Sequence, residues 1–359
     1  MDNNTSQDKR QSNIELLRIL AMLFIIAYHF VYHGGIYYPH TDISGFNRIF
    51  TTFLRPFGKM GVNIFVMISG YFLITSQKSN IPRLIRLWLQ TLFYSAGIAI
   101  VLIAKNYLPF SAPDLAARFF PITRHLWWFS TAYFVLHLFS PFINKFLNSL
   151  TKAEYTKMLV LMTAVFSIVP SLNNISEMGH ELTWFVFIYS IGGYVRLHTD
   201  SKPKRPAKYI LYAVLFQTAV LFLCKGLAAI GFKNPLDSLY TLYSFSSLVS
   251  SLLIFRFFLG LDIKTSRIIN ALASAAFGVY LLHEDEFMRI IIWNILVKPQ
   301  QYIHDPLLPL HIIKTALLIY AIGGAIELIR KNLLEKHYMP PVYKLADFLD
   351  QKINAFFKK

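Results

Sequence analysis

Long apolar segments recur along the whole chain and are separated by short polar stretches. Most of these segments approach the roughly 20 residues that an α-helix needs to cross a bilayer. Backbone groups in lipid must be paired within the protein, and the long alternating segments of a barrel are absent, so the pattern indicates helices. The predicted fold is all-α, a polytopic transmembrane helical bundle of about ten spans at residues 14–33, 58–76, 86–105, 125–147, 156–171, 183–198, 208–230, 237–259, 268–285 and 308–330.

The polar pattern at the two ends divides the chain further. Residues 1–12 are polar and are predicted to form a disordered cytoplasmic tail, whereas residues 13–335 form the transmembrane domain. Residues 336–359 are predicted to be an amphipathic cytoplasmic helix, because apolar residues recur there at helical spacing between charged ones. Residues 287–297 are predicted to form an interfacial or re-entrant helix.

Composition and charge support a membrane protein and set its orientation. The 359 residues are 55% hydrophobic and 15% charged, whereas a soluble domain carries about 25% charged residues. The net charge is +16, and most basic residues lie in short loops such as SKPKRPAK at 201–208. Basic loops favour the cytoplasm, which predicts that both termini lie there. Without a recognition motif, the charge does not indicate a nucleic-acid partner.

The first predicted span contains Glu15, Arg18 and His29, which are costly side chains in lipid. Arg18 and His29 are eleven residues apart, which is about three helical turns and about 16 Å along one face. Glu15 precedes Arg18 by three residues and can pair with it. This spacing predicts a polar stripe that faces a cavity, with His29 nearer the outer side. Two alternatives stay open here, namely an Arg18 that reaches the interface and a purely structural His29.

Arg83 and Arg86 lie one turn apart at the start of the third predicted span. In the predicted orientation they stand at the cytoplasmic mouth. Guanidinium groups bind phosphates in a bidentate manner, so the pair suits a nucleotide-bearing donor. A plain cytoplasmic anchor is the alternative interpretation.

Further histidines are predicted near the outer side. His125 begins the fourth predicted span, and His283 ends the ninth. The acidic residues 284–286 that follow are expected to be solvated. Because His29, His125 and His283 do not form a His-x-x-x-His or His-Glu-x-x-His pair with one another, we expect no metal site. Cys224, the single cysteine, is expected to be a buried thiol.

Several motifs occur in a characteristic order: Glu-x-x-Arg-x(10)-His, IFVMISGYFLIT, PRLIRLW, HLWWF and FGVYLLH. Over about residues 11–330 the chain resembles the integral-membrane acyltransferase-3 family. The resemblance implies a bacterial cytoplasmic-membrane O-acyltransferase. It would use acyl-CoA, usually acetyl-CoA, from the cytoplasm to modify a cell-surface glycan or a lipid-linked sugar. The chain departs from the family pattern at Trp128 and at the acidic run 284–286, which are individual to this protein.

The resemblance also assigns roles to residues. It implies that Arg18 and His29 are an essential pair and that Arg83 and Arg86 bind the donor. It further implies substrate contacts from other recurrent segments, namely His125, Trp127, Tyr280 and His283.

Chemistry adds an expected mechanism. An imidazole suits a general base for a sugar hydroxyl, so we expect this role for His29. Glu15 would orient Arg18, which would contact the donor or stabilise developing negative charge. The competing interpretation is a transporter or flippase, although no duplicated halves are evident. A non-catalytic scaffold is disfavoured by the polar residues within the spans.

Overall fold

The computed structural model describes residues 11–37, 42–43, 45–76, 81–173, 181–200 and 202–357, and these contain helices but no strand. The first half of the chain forms α1 (Ser12–His33), α2 (Gly45–Leu73), α3 (Ile81–Ala104), α4 (Ala112–Arg118), α5 (Trp128–Ser149) and α6 (Lys152–Thr163). A π-helical turn, Ala164–Ile168, connects α6 to α7 (Val169–Asn173), and α8 (Glu181–His198) follows.

The second half is also helical. It forms α9 (Ala207–Ala229), α10 (Pro235–Leu239), α11 (Phe245–Leu259), α12 (Arg267–His283), α13 (Glu286–Arg289), α14 (Leu308–Arg330) and α15 (Lys336–Phe357). Between them lie π-helical segments at Ile290–Val297 and Lys331–Glu335 and a short 3-10 helix at Pro299–Tyr302. The prediction of a helix at residues 287–297 is confirmed: α13 begins it, and the π-helical segment Ile290–Val297 continues it.

Five of these helices are long and apolar enough to cross a membrane: Ser12–His33, Ile81–Ala104, Lys152–Ser171, Ala207–Ala229 and Leu308–Leu349. The five other predicted spans coincide with α2, α5, α8, α11 and α12, which are shorter or more polar. The count of ten spans and the cytoplasmic termini therefore stay predictions.

One predicted span is wrong as a continuous helix. Residues 237–259 are interrupted, because α10 ends at Leu239 and α11 begins at Phe245. Ser244 caps α11 by accepting from the backbone N–H of Ser247, and the Ser247 hydroxyl donates back to the carbonyl of Thr241 at 2.9 Å. These serine contacts stabilise a turn between the two helices.

The helix α1 lies at the centre of the bundle and packs against α2, α11, α12 and α14. The helix α2 also packs closely on α8. A Cβ atom added at Gly70 would collide with the carbonyl of Tyr189, and one added at Gly192 would collide with that of Met67. Glycine is therefore required at this crossing, as is common where membrane helices approach closely.

The peripheral helices turn apolar side chains outward. Val101 of α3, Leu161 of α6, Phe222 of α9 and Leu317 of α14 are all at least half exposed. The central helices instead bury polar side chains, among them Asn63 and Ser190. An apolar exterior with the polar side chains kept inside fits a lipid environment, because hydrocarbon cannot solvate polar groups.

The two ends of the bundle can be followed along α1 and α12, which run in the same direction. At one end, Ser12 Oγ donates to Asn270 Oδ1 at 2.9 Å. At the other, His29 meets His283. We call these the amino end and the histidine end. The helix α14 returns to the amino end, where the Tyr320 hydroxyl donates to the carbonyl of Leu272.

The tail predictions are tested only in part. Residues 1–10 of the predicted N-terminal tail lie outside the described residues, whereas Ser12 is buried and already begins α1. The C-terminal tail is helical through Phe357, and its last two residues lie outside the described part. Its position on a membrane surface stays a prediction.

Candidate active site

Four polar side chains meet at the histidine end, where α1 and the end of α12 lie side by side. His29 Nδ1 lies 3.1 Å from His283 Nε2 and 3.1 Å from Glu284 Oε1. His33, one turn after His29, places Nε2 at 2.8 Å from the same Glu284 oxygen. Two helices that are far apart in sequence thus form one hydrogen-bonded cluster.

The hydrogen bonds define which nitrogen of His29 carries its proton. His283 Nδ1 lies 2.7 Å from the carbonyl of Val279, so it donates there and leaves Nε2 as an acceptor in the neutral ring. His29 Nδ1 faces this acceptor and the Glu284 carboxylate, so it is the protonated nitrogen. The lone pair of His29 is therefore on Nε2, which has no hydrogen-bond partner among the described residues.

The acidic run after α12 is not solvated as expected. The side chain of Glu284 is only 9% exposed, and Asp285 is buried in an ion pair with Arg118 at 3.2 Å. Only Glu286, which also contacts Arg118, exposes about half of its side chain, 54%. The prediction failed because the turn folds back on α1 and on the Arg118 segment, which supply hydrogen-bond donors to the carboxylates.

Glu284 joins the two histidines of α1. One oxygen of its carboxylate, Oε1, lies within hydrogen-bond distance of both His29 Nδ1 and His33 Nε2. A carboxylate that accepts from two imidazoles holds their rings in place, as in carboxylate–histidine pairs of other sites.

A cavity of about 290 Å³ lies beside the cluster. His29, His33 and Glu284 line it, as do Tyr280 and Lys59. The Lys59 ammonium lies 5.0 Å from the centre of the Tyr28 ring. Within the part of the chain that the structure describes, no carboxylate oxygen lies within 4.0 Å of Lys59 Nζ. The cavity therefore combines a base-competent imidazole with a lysine side chain that forms no salt bridge within the described residues.

The cluster also has the composition of a metal site. One atom each of His29, His33 and Glu284 lies within 4.8 Å of the others. The expectation that no metal binds considered His29, His125 and His283 and omitted His33, which completes a His-x-x-x-His pair. These three residues are the ones that could hold a divalent cation, in competition with their mutual hydrogen bonds.

Glu15 and Arg18 lie towards the amino end. Arg18 NH1 is 3.7 Å from Glu15 Oε2, which confirms the predicted pair. Neither residue lines the cavity beside His29. Because Arg18 and His29 are eleven residues apart on one helix, about 16 Å of rise separates their backbones. Their side chains therefore act at different places in the bundle.

Arg83 and Arg86 begin α3, also at the amino end. Arg86 Nε lies 3.2 Å from Glu335 Oε1, and its guanidinium group donates to the Tyr343 hydroxyl of α15. Glu335 in turn accepts from Arg330 of α14. The C-terminal helix thus contacts one of the two arginines that were predicted to bind the donor, although the Arg86 side chain stays 45% exposed.

The four residues predicted to contact substrate divide into two groups. Tyr280 lines the cavity, and His283 bonds to His29. His125 is exposed in a turn with φ of 53°, and Trp127 is buried outside the cavity. Trp128, the next residue, lines the cavity instead, because α5 begins there and turns its side chain inward.

Sequence reasoning missed three members of this site, namely His33, Lys59 and Glu284. His33 could have been predicted from its spacing, since it lies one helical turn after His29. No sequence pattern indicated Lys59 or Glu284, because a basic residue and an acidic run beside a predicted span are usually solvated.

The sequence was also compared with known proteins. A family model described as an acyltransferase domain matches residues 11–329, which is most of the chain. Neither a curated protein nor a solved structure matches the chain.

Proposed function

Since the chain belongs to the acyltransferase-3 family, we propose that it is a membrane O-acyltransferase that moves an acetyl group from acetyl-CoA to a hydroxyl of a cell-surface glycan or its lipid-linked precursor. One observation carries the proposal. His29 is bonded through Nδ1 and has Nε2 free beside a cavity. Family membership favours this activity over that of a transporter.

His29 acts as the general base. Its Nε2 takes the proton of the acceptor hydroxyl while the oxygen attacks the thioester carbonyl. The tetrahedral intermediate then collapses, the C–S bond breaks, and the CoA sulfur leaves with the proton that His29 carried. Glu284 and His283 are positioning residues, because they keep the His29 proton on Nδ1 and favour the imidazolium that forms.

Lys59 is the group that supports the oxyanion. The tetrahedral intermediate carries a negative charge near His29, whereas Arg18 lies about three turns away along α1. A cation in a water-poor cavity stabilises such a charge strongly. Lys59 shares the cavity with His29, so it takes the role that sequence reasoning gave to Arg18.

The donor binds from the amino end. Arg83 and Arg86 would hold the phosphates of CoA, and Arg18 would contact the donor between them and His29. The reacting thioester would then be at the far end of an extended molecule. This arrangement fits a bacterial cytoplasmic membrane in which the donor is cytoplasmic and the acceptor meets His29 near the outer side.

The test is acetyl transfer from labelled acetyl-CoA in membranes of cells that make the native glycan. The His29→Ala variant should lose transfer by about 10²- to 10⁴-fold, the usual contribution of a general base. His304→Ala, which changes an exposed histidine outside the cavity and without a predicted role, is the matched control and should keep normal transfer. Equal transfer by both variants at equal membrane levels would contradict the assignment of His29.

Binding of the donor is tested separately, through the KM for acetyl-CoA and the thermal stability of the protein. Arg83→Ala should raise the apparent KM for acetyl-CoA with a smaller effect on kcat, and acetyl-CoA should raise the Tm of the purified wild-type protein. NMR of surface glycans from cells with and without the gene would then identify the acetylated hydroxyl. A wild-type protein that neither binds acetyl-CoA nor changes glycan acetylation would rule out the proposed function.

A further inference from the structure

A second cavity of about 460 Å³ adjoins the first one. The two share part of their walls, including Tyr28, Lys59 and Trp128. Since the ring centres of Tyr28 and His29 are 5.6 Å apart, the shared wall lies next to the proposed base. The second cavity is therefore the natural place for the part of a substrate that extends beyond the reacting hydroxyl.

The wall of the second cavity is rich in aromatic side chains that carry a polar group. Five tyrosines and one tryptophan line it: Tyr28, Tyr32, Tyr37, Tyr240, Tyr243 and Trp128. Such rings present an apolar face together with a hydrogen-bonding tip. A sugar ring has the matching chemistry, with C–H groups on its faces and hydroxyls around its edge.

Four charged side chains complete the wall, and their formal charges balance. Arg55 and Lys59 are basic, whereas Glu181 and Asp237 are acidic. Arg55 NH2 lies 2.9 Å from Asp237 Oδ1, and its guanidinium carbon lies 4.9 Å from the Tyr37 ring centre. Carboxylate and guanidinium groups in fixed planes can accept from and donate to neighbouring hydroxyls.

The break between α10 and α11 supplies much of this wall. Asp237 and Tyr240 to Tyr243 belong to α10 and the connecting turn. In a continuous helix Asp237, Tyr240 and Thr241 would share one face, whereas Leu242 and Tyr243 would point away from it. The serine-capped turn instead presents them together towards the cavity.

We propose that this second cavity binds a pyranose unit of the acceptor and holds one of its hydroxyls towards His29. This inference rests on the proposed acyl-transfer function. A balanced set of charges fits a neutral sugar better than a phosphate, for which a site has an excess of donors and positive charge. The tyrosine hydroxyls and four charged groups also disfavour an acyl chain, which would need an apolar wall.

Binding is tested first, with full-length protein in nanodiscs, because detergents with glucoside or maltoside head groups would compete. The probes are the neutral methyl glycosides of glucose and N-acetylglucosamine, with methyl glucuronide, inorganic phosphate and glycerol 3-phosphate as anionic comparisons. At least one neutral glycoside should quench tryptophan fluorescence, and Trp128→Phe should remove the change. The proposal is overturned if no neutral glycoside binds, or if only the anions do.

The second step uses acetyl transfer to a glycoside that binds. Tyr243→Phe and Asp237→Asn should each raise the KM for the glycoside about five- to tenfold, as expected for one lost hydrogen bond. The kcat and the KM for acetyl-CoA should not change. Tyr212→Phe, which alters an exposed tyrosine of α9, is the matched control.

The outcomes separate this inference from the proposed function. Acetyl transfer with an unchanged glycoside KM in both variants overturns the sugar site and leaves the acyltransferase proposal intact. Glycoside binding that depends on Trp128 and Tyr243, without any transfer from acetyl-CoA, supports the sugar site and contradicts the proposed reaction.

Discussion

Nε2 of His283 lies 3.1 Å from Nδ1 of His29, although 254 residues separate the two histidines in sequence. Because His283 donates through its other nitrogen to the carbonyl of Val279, this contact assigns the proton of His29 to Nδ1. The base-competent nitrogen is then Nε2, on a side chain that lines the cavity. The chemistry proposed for α1 therefore depends on its packing against α12.

The Glu284→Gln substitution tests whether the carboxylate positions and charges the His29 cluster. We expect kcat to fall by at least about tenfold, because the imidazolium that forms in the transition state loses its counter-charge. The KM for acetyl-CoA should change little. Steady-state kinetics should show normal activity for Glu286→Gln, a half-exposed neighbour, and a similar loss in both variants would argue against a specific role.

Lys59 should contribute to kcat rather than to donor binding. Lys59→Met removes the cation from the cavity beside His29, and we expect a loss of about 10²-fold in kcat, comparable to the loss of one oxyanion donor. Lys59→Arg should restore part of the activity. Arg48→Met, which alters an exposed basic residue of the same helix, is the control. Wild-type kinetics for Lys59→Met would exclude the oxyanion role.

Gly278 makes room for a buried charged network. A Cβ atom added there would lie 2.6 Å from Cγ of Glu327, whose carboxylate accepts from Gln90, Tyr94 and Arg330. Gly278→Ala should destabilise the protein by about 1–3 kcal/mol, because the carboxylate is held on several sides. The Tm in detergent measures the effect. Gly97→Ala, where an added Cβ meets nothing within 4 Å, should not lower the Tm.

The contact between Arg86 and α15 should compete with the donor. Tyr343→Phe removes one hydrogen bond to Arg86 and leaves its guanidinium group more available for a phosphate. We expect the KM for acetyl-CoA to fall about two- to tenfold, in line with one hydrogen bond of modest net strength. The Arg86→Ala substitution should raise the KM for acetyl-CoA, because it removes a guanidinium group proposed to bind the donor. If Tyr343→Phe instead raised the KM, the contact would be part of the donor site and not a competitor.

Local sequence patterns were sufficient for most of the long helices and for the Glu15–Arg18 pair within one helix, but not for the break between α10 and α11. The apolar segments predicted the helices because a bilayer requires a minimum apolar length. Glu15 and Arg18 could be paired from their spacing, since residues three apart lie on one face of a helix. The order of the motifs around Arg18 and His29 was enough to indicate the family.

The tertiary structure decided the partners of these residues. Glu284 belongs to an acidic run that has the same composition whether it is solvated or buried, so only the packing of α12 on α1 reveals its contact with His29 and His33. Lys59 approaches the same cavity from a third helix, α2. The turn between α10 and α11, which the apolar pattern concealed, forms the wall of the second cavity. Sequence spacing determines contacts along a helix, whereas contacts between helices depend on how their faces pack.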